Sequence, residues 1–418
     1  MNTTPRPELG TARCPYVLDA TGADIHAEGR ELRARGPATP VALPGDVRAW
    51  AVTDTALAKR LLIDSRVSKD AYRHWPDFIR GEIPDSWPLR IWVDVRNALT
   101  SYGAEHTRLR RLIGAAFTAR RARAISPQVE RIAHQLLDEL ADLPPGEPVD
   151  LRERFIWRLP LHVLSVLLGV PDSMHDAFRE AADGIFDTDL TTEQAAANSR
   201  TAYALIDELI AVKRAEPGTD VTSTLVGTCD ENGGCLSEDE LRDSLLLLIC
   251  AGHETVVNLL GHAVVNVLTH PYQLALVRTA QSTWADVVDE TLRHQAPIAH
   301  IPLRYATDDI HDRPSGLTVL RGEPILLSYS SAGRDPLVHG ADADAFDITR
   351  STRREHLSLG YGTHYCLGAE LARCETRIAL TALFARFPHL SLAVPSTHLK
   401  PLESFVSNGH QAIPVLLG

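Results

Sequence analysis

The chain has 418 residues, 44% of them hydrophobic and 23% charged, and carries a formal charge of −12 from 42 basic and 54 acidic side chains. This is the composition of an ordinary globular protein with a large core, and it excludes collagen-like, disordered and disulfide-scaffold classes. The negative balance argues against a surface built for nucleic acid or anionic lipid, and six cysteines are too few for a disulfide framework, so a reducing cytoplasm is the expected setting.

Residues 1–14 read as a tail without the apolar stretch of a secretory signal. No repeat or linker divides the remainder, so residues 15–418 are expected to form one domain. Alternating patterns place strands at 41–43 and 47–53 around a Pro44-Gly45-Asp46 turn, with further strand signal at 317–329 and 390–417. Between them the apolar spacing is helical over 105–118, 129–141, 151–168, 173–186, 192–215, 237–270, 284–294 and 367–387.

The segment 237–270 is the longest of these. Ser237 and Glu240 form a capping-box start and Pro271 a stop, which gives roughly 50 Å of helix. Its apolar run at 244–252 is broken by His253 and Glu254, short of the roughly 18 residues a membrane span needs. The pattern is interrupted by Ala251-Gly252-His253-Glu254-Thr255. A glycine inside a helix costs about 1 kcal/mol, and a buried carboxylate costs more unless it is partnered. Two readings fit: a kink with a solvent-facing stripe, or a flat ligand against the backbone at Ala251 and Gly252 with an acid and a hydroxyl beside it.

Around Cys366 the sequence is Leu359-Gly360-Tyr361-Gly362-Thr363-His364-Tyr365-Cys366-Leu367-Gly368, and helical spacing (Leu367, Leu371, Cys374, Ile378) begins at once after the cysteine. Glycines permit a tight loop and close approach to a planar group, and a helix N-terminus favours thiolate, so Cys366 is expected to be an anionic ligand or a nucleophile. Cys229 and Cys235 flank a glycine-rich turn without zinc spacing, and Cys250 and Cys374 fall on apolar helix faces. His253-Glu254 does not continue to a zinc motif, because Val257 occupies the position of the second histidine.

With these residues the chain resembles the cytochrome P450 superfamily of haem-thiolate monooxygenases, with Leu359 where the cysteine loop of that family usually begins with Phe. Ala251-Gly252-His253-Glu254-Thr255 is similar to its oxygen-activation motif, and Glu290-Thr291-Leu292-Arg293 to its Glu-x-x-Arg motif, with Arg350 as the third member of a buried triad. His106 and Arg110, one helical turn apart, match its propionate clamp, and Arg304 and His364 match the positions that hold the propionates from the other side. The resemblance implies a mainly α fold with small β-sheets and a long central helix over a buried haem b. It implies Cys366 as the axial thiolate, Ala251, Gly252, Leu359, Gly360 and Gly368 against the haem, Thr255 as a hydrogen-bond donor to activated oxygen and Glu254 as a proton relay.

The implied activity is oxidation of a bulky, mostly apolar molecule such as a steroid, macrolide or cyclic peptide, by hydroxylation, epoxidation or coupling. Dioxygen and two electrons are required, the electrons passing from NAD(P)H through ferredoxin reductase and ferredoxin. The alternative is a haem-binding sensor or sequestering protein without turnover. Trp75, Phe78, Trp87 and Trp92 are expected to roof the pocket, and Ile298, Ile301, Phe405 and Val406 to line it. Arg108, Arg111, Arg120, Arg121, Arg123, Arg353, Arg354, Arg373 and Arg377 are expected to form a basic docking patch for an acidic ferredoxin.

Overall fold

Helices begin where side chains can satisfy the first free backbone N–H groups. In the computed structural model, which describes residues 15–114, 117, 124–186, 190–229 and 234–418, the helices that build the site are α1 (Gly103–Gly114), α2 (Ser126–Ala141), α3 (Arg158–Leu168), α4 (Thr192–Ala215), α5 (Glu238–Thr269), α6 (Trp284–His294) and α7 (Ala369–Arg386). Closed capping boxes start three of them: Thr191 with Gln194, Ser237 with Glu240, and Thr283 with Asp286. The tail at 1–14 and the arginines Arg120, Arg121 and Arg123 lie outside the described residues.

Helix α5 has 32 residues and is buried along most of its length, packed against α3, α4, α6 and α7. Its length and composition would suit a membrane span, but 78% of its most apolar stretch is buried within the protein. It runs unbroken through 251–255, so there is no kink. Gly252 is needed for packing as well: a Cβ there would lie 2.8 Å from Leu164 of α3. The expected helix at 151–168 is instead a single wide turn at Arg152–Ile156 followed by α3.

One sheet has six strands: β1 (Tyr16–Val17), β2 (Ala38–Leu43), β3 (Val47–Val52), β4 (Val67–Ser68), β5 (His300–Ala306) and β6 (Pro324–Ser328), in the order β1-β2-β3-β6-β5-β4. The hairpin β2–β3 turns at Pro44–Asp46, where Gly45 has φ 75° and the Trp87 indole donates to Pro44 O at 2.7 Å. β5 is not among the strands expected from sequence: Ile301, Leu303 and Tyr305 alternate with His300, Pro302 and Arg304, but a proline inside so short a run argues against a strand. Its pairing with β6 slips by one residue between Ile301 and Arg304, a β-bulge. In a regular strand residues three apart face opposite sides; the extra residue turns Ile301 and Arg304 to the same cavity. The expected strands at 317–329 and 390–417 are each split, into Leu317–Val319 with β6, and Ser391–Leu392 with Pro414–Leu416.

Of the four aromatic residues expected in the pocket roof, Trp75, Phe78 and Trp87 belong to the core over this sheet. Trp75 stacks on Tyr305 of β5 at 5.3 Å between ring centroids and on Phe78 at 5.8 Å, with Trp87 edge-on at 5.6 Å. Phe405 and Val406 are buried in the same core and do not line the cavity. Cys229 and Cys235, read from sequence only as flanking a glycine-rich turn without zinc spacing, form a disulfide. They face each other as an isolated antiparallel bridge.

Glu290 and Arg293 pair in two parallel hydrogen bonds of 2.8 and 2.6 Å, both side chains fully buried. Arg293 also donates to the carbonyls of Gly333, Ala343 and Ala345. Arg350 reaches Glu290 at 3.7 Å and is held more closely by Asp342 and the carbonyl of His339. A buried pair of this kind ties α6 to the loop ahead of Cys366, and removing one partner would strand the other charge.

His300 has no solvent exposure, hydrogen-bonds Phe405 O through Nδ1 at 2.8 Å, and is held neutral by burial, with its pKa down to about 4. The unfolded chain protonates this ring below pH ~6.5 while the folded one does not, so its contribution is complete above that pH and is lost as pH falls towards 4. In His300→Leu the stability lost between pH 7 and pH 5 should be smaller by about 2 kcal/mol, measured from denaturant midpoints. An identical loss in both proteins would contradict this account.

Candidate functional site

A cavity of about 300 Å³ lies between α5 and the Cys366 loop. The loop is drawn tight by Gly360 N to Leu357 O at 2.7 Å, Tyr365 N to Gly362 O at 3.0 Å and Cys366 N to Leu359 O at 2.8 Å. Gly360 has φ 75°, and a Cβ there would come within 3.0 Å of His364 O, so only glycine closes the turn without displacing its neighbour. Leu359, Gly360, Cys366 and Gly368 all line the cavity, as do Ala251, Gly252 and Thr255 on the opposite wall. Leu359 also packs on the core around α7.

The Cys366 thiol is open to the cavity and otherwise surrounded by protein. Burial pushes its pKa up, against the opposing pull of the Gly368 N–H and of Arg110 and Arg373. The helix start after the cysteine therefore does not by itself make the thiolate; a bound cation must supply the balance.

One edge of the cavity is crowded with basic groups. Arg110, Arg304 and His364 line it, and His106 meets His364 ring to ring at 4.1 Å. Behind them Lys69, fully buried, donates to Pro302 O at 2.9 Å; burial and then Arg304 hold its pKa well below the usual value. Burial first, then Arg304, His106, Lys69 and Arg110, drive His364 down to about 2. His106 Nε2 and Arg304 Nη1 are buried without a hydrogen-bond partner. Arg110 is anchored to the cysteine loop by a 2.6 Å bond to Tyr365 O. Among the described residues the carboxyl that lines the cavity is Glu375 on α7, and burial raises its pKa to about 8, so it is protonated at neutral pH. Unanswered donors of one sign, beside a free thiol and a glycine-flanked wall, fit a flat dianionic ligand with a soft metal centre: the residues present fit haem.

On the far wall Thr255 faces the cavity, its hydroxyl donating to Ala251 O at 2.6 Å. Glu254 does not line the cavity, contrary to the sequence reading that set it beside the ligand. Neighbouring residues on a helix are turned by about 100°, and here that turn carries the Glu254 side chain away from the cavity and towards Ser407. Its carboxylate accepts instead from Asn258 and Ser407. The rest of the lining is apolar, with Ile91, Trp92, Val95, Ala98, Leu246, Ile298 and Ile301. Asn97 is the polar group in the roof, and its amide is used internally, Nδ2 donating to Asp243 O and Oδ1 accepting from Leu99 N.

The expected basic patch is largely neutralised within the fold. Arg353 pairs with Asp286 at 2.5 Å, and Arg354 and Arg373 with Asp289 at 2.6 and 3.1 Å; Arg108 pairs with both Glu105 and Glu240. Arg111 and Arg377 are exposed, and Arg354 stays 71% exposed in its pair with Asp289. Lys69, Glu375, Asn258 and Ser407 were not singled out from sequence; none belongs to a short motif, and only the fold brings them to the site.

Residues 284–408 match the cytochrome P450 family. The 2-hydroxy-5-methyl-1-naphthoate 7-hydroxylase of Streptomyces carzinostaticus is 42% identical over 97% of this chain and 98% of its own length, and the vitamin D(3) 25-hydroxylase of Pseudonocardia autotrophica 36% identical over 94% of each. Among solved structures, CYP154A1 of Streptomyces coelicolor A3(2) superposes with a TM-score of 0.92 at 53% identity, covering 96% of this chain and all of that one. The chain belongs to the cytochrome P450 family of haem-thiolate oxidoreductases.

In the haem-free protein, alkylation of Cys366 by iodoacetamide should be slow at pH 7.5 and reach half its maximal rate only above the ordinary thiol range. The Cys366→Ala variant supplies the background from the other cysteines, Cys14, Cys250 and Cys374. A rate already maximal at pH 7.5 would mean that the thiolate forms without a bound cation.

Proposed function

We propose that residues 15–418 act as one haem-binding domain that oxidises a bulky, mostly apolar natural product with dioxygen and two electrons from separate redox partners. The observation that carries this reading is the meeting, in one cavity, of the Cys366 thiol, the Ala251–Gly252 wall, Thr255 and a set of basic groups with, among the described residues, no ionised carboxylate in the lining. Cys366 is the metal ligand; His106, Arg110, Arg304 and His364 hold the two haem carboxylates. When bound, a thiolate-ligated haem supplies the activation of dioxygen. Thr255 offers its hydroxyl to the oxygen side of the cavity, exchanging the bond it makes to Ala251 O, and Glu254 carries protons inward from solvent. The apolar lining excludes water and orients the substrate by shape.

Substrate class rests on that lining and on the relatives, which include the vitamin D(3) 25-hydroxylase and the 6-deoxyerythronolide B hydroxylase of Saccharopolyspora erythraea. Steroids, macrolides and cyclic peptides are the set to screen, by the spectral shift each causes on binding. A screen in which only small polar compounds bind would overturn this class. The electron route is ferredoxin reductase to ferredoxin, in the cytoplasm, with NAD(P)H as the source.

Cys366→Ser should lose the red-shifted Soret band of the reduced carbon monoxide complex together with turnover, because a neutral hydroxyl does not replace an anionic sulfur donor. An unchanged spectrum would assign the metal to another residue.

The ferredoxin docks on the cysteine side through the arginines that the fold leaves exposed. Arg111→Glu and Arg377→Glu should each slow ferredoxin-driven reduction and weaken its salt dependence, while substrate-induced spectral shifts stay intact, since screening over about 8 Å removes only the long-range attraction. Unchanged rates at all salt concentrations in both variants would place docking elsewhere.

A further inference from the structure

Glu254 is 3% exposed, and the group that fixes it comes from the far end of the chain. Ser407 Oγ donates to Glu254 Oε1 at 3.0 Å, and Asn258 Nδ2, one turn along α5, donates to the same oxygen at 3.0 Å and lies 2.8 Å from Ser407 Oγ. Asn258 and Ser407 are each 2% exposed, so the three polar groups meet where water does not reach, with Asn258 Oδ1 left without a hydrogen-bond partner. A carboxylate held by two neutral donors in such a place has little freedom to turn towards Thr255.

The loop that carries Ser407 is also part of the cavity wall. Ile298 and Ser407 face each other as an antiparallel bridge, flanked by Ala299 N to Val406 O at 2.8 Å and Asn408 N to Pro297 O at 2.9 Å. Pro297 and Ile298 line the cavity. Ser404 Oγ accepts from the N–H groups of Val406 and Ser407, which fixes the turn ahead of the bridge. At Gly409 a Cβ would fall 2.0 Å from Asn258 Oδ1, so the loop closes over the carboxamide only with glycine there. One short backbone ladder thus joins the surface a ligand touches to the hydroxyl that holds the acid.

We propose that Ser407 is a positioning residue that holds Glu254 turned away from the cavity, and that a ligand pressing on Pro297 and Ile298 shifts the 404–410 loop and releases the carboxylate towards Thr255. Proton delivery is then withheld until the cavity is filled. The proposal rests on the reading of Glu254 as the proton carrier.

The test uses the holoenzyme and its Ser407→Ala, Ser407→Thr, Glu254→Gln and Glu254→Gln/Ser407→Ala variants. Infrared difference spectra give a readout without turnover: the Glu254 carboxyl signal is the one absent in Glu254→Gln. It should shift in Ser407→Ala, stay near its original position in Ser407→Thr, and in the native protein move when clotrimazole, a bulky apolar azole, fills the cavity. Electron consumption without substrate, supported by a surrogate ferredoxin and reductase, should rise about tenfold in Ser407→Ala, the scale of one lost hydrogen bond to a charged group. It should return to the level of Glu254→Gln in the double variant. A Glu254 signal that is the same in Ser407→Ala, or that ignores clotrimazole in the native protein, overturns the proposal even if Glu254→Gln is impaired. If Glu254→Gln consumes electrons and forms product as the native enzyme does, the proton-carrier reading fails instead. A thermal midpoint in Ser407→Ala close to native separates positioning from general loss of structure.

Discussion

Basic groups gathered out of water lose hydration and repel one another when charged, and the edge of the cavity holds Arg110, Arg304, His364 and His106 with Lys69 behind them. Glu375, protonated at neutral pH, does not offset them. The fold has to impose this cluster against its own electrostatics, which is the cost of a site prepared for a dianion. Burial first, and then the neighbouring basic groups, depress the pKa values of His364 and Lys69, so both lean towards their neutral forms. An occupant bearing two carboxylates would reverse the balance, and binding would add to the stability of the folded chain.

What holds such a cluster in place is rigid backbone on every side. Arg304 is aimed by the bulge in β5, and the strand is backed by the stacked rings of Tyr305 and Trp75. The cysteine loop is pinned from α1 by Arg110 and from α6 by Ser358, whose hydroxyl donates to Leu292 O. The Glu290–Arg293 pair sits one layer further out, joining α6 to the carbonyls of three residues ahead of that loop. Each support comes from a different part of the chain, so the site is a property of the packed whole and not of the motif around Cys366.

The parts legible in the sequence were those in which local chemistry decides the outcome. The ends of α5 follow from Ser237, Glu240 and Pro271, and the tight cysteine loop follows from its glycines. The parts that were not legible depend on partners distant in sequence. Trp75, Phe78 and Trp87 look like a pocket roof until Tyr305 is brought beneath them. Strand β5 alternates Ile301, Leu303 and Tyr305 with His300, Pro302 and Arg304, and that pattern conceals the bulge that brings Ile301 and Arg304 to one cavity. The arginines near Cys366 look like an open basic face until Asp286 and Asp289 are seen to answer three of them. A linear pattern shows which residues are charged or aromatic, but not which of them are already satisfied.

Glu254 and Thr255 show the same limit at the scale of one helical turn. Adjacent in sequence, they read as a pair that shares a task, yet a helix turns about 100° per residue and sends them to different surroundings. Thr255 faces a cavity that is apolar around it, whereas Glu254 lies in a polar contact between α5 and the 404–410 loop. A carboxylate buried beside an apolar cavity is tolerable only if a second element supplies donors for it. Whatever holds the acid must therefore come from outside α5 as well as from it. Here that element is a loop whose backbone is also the wall a ligand would touch, so the requirement of burial and the sensing of an occupied cavity fall on the same few residues.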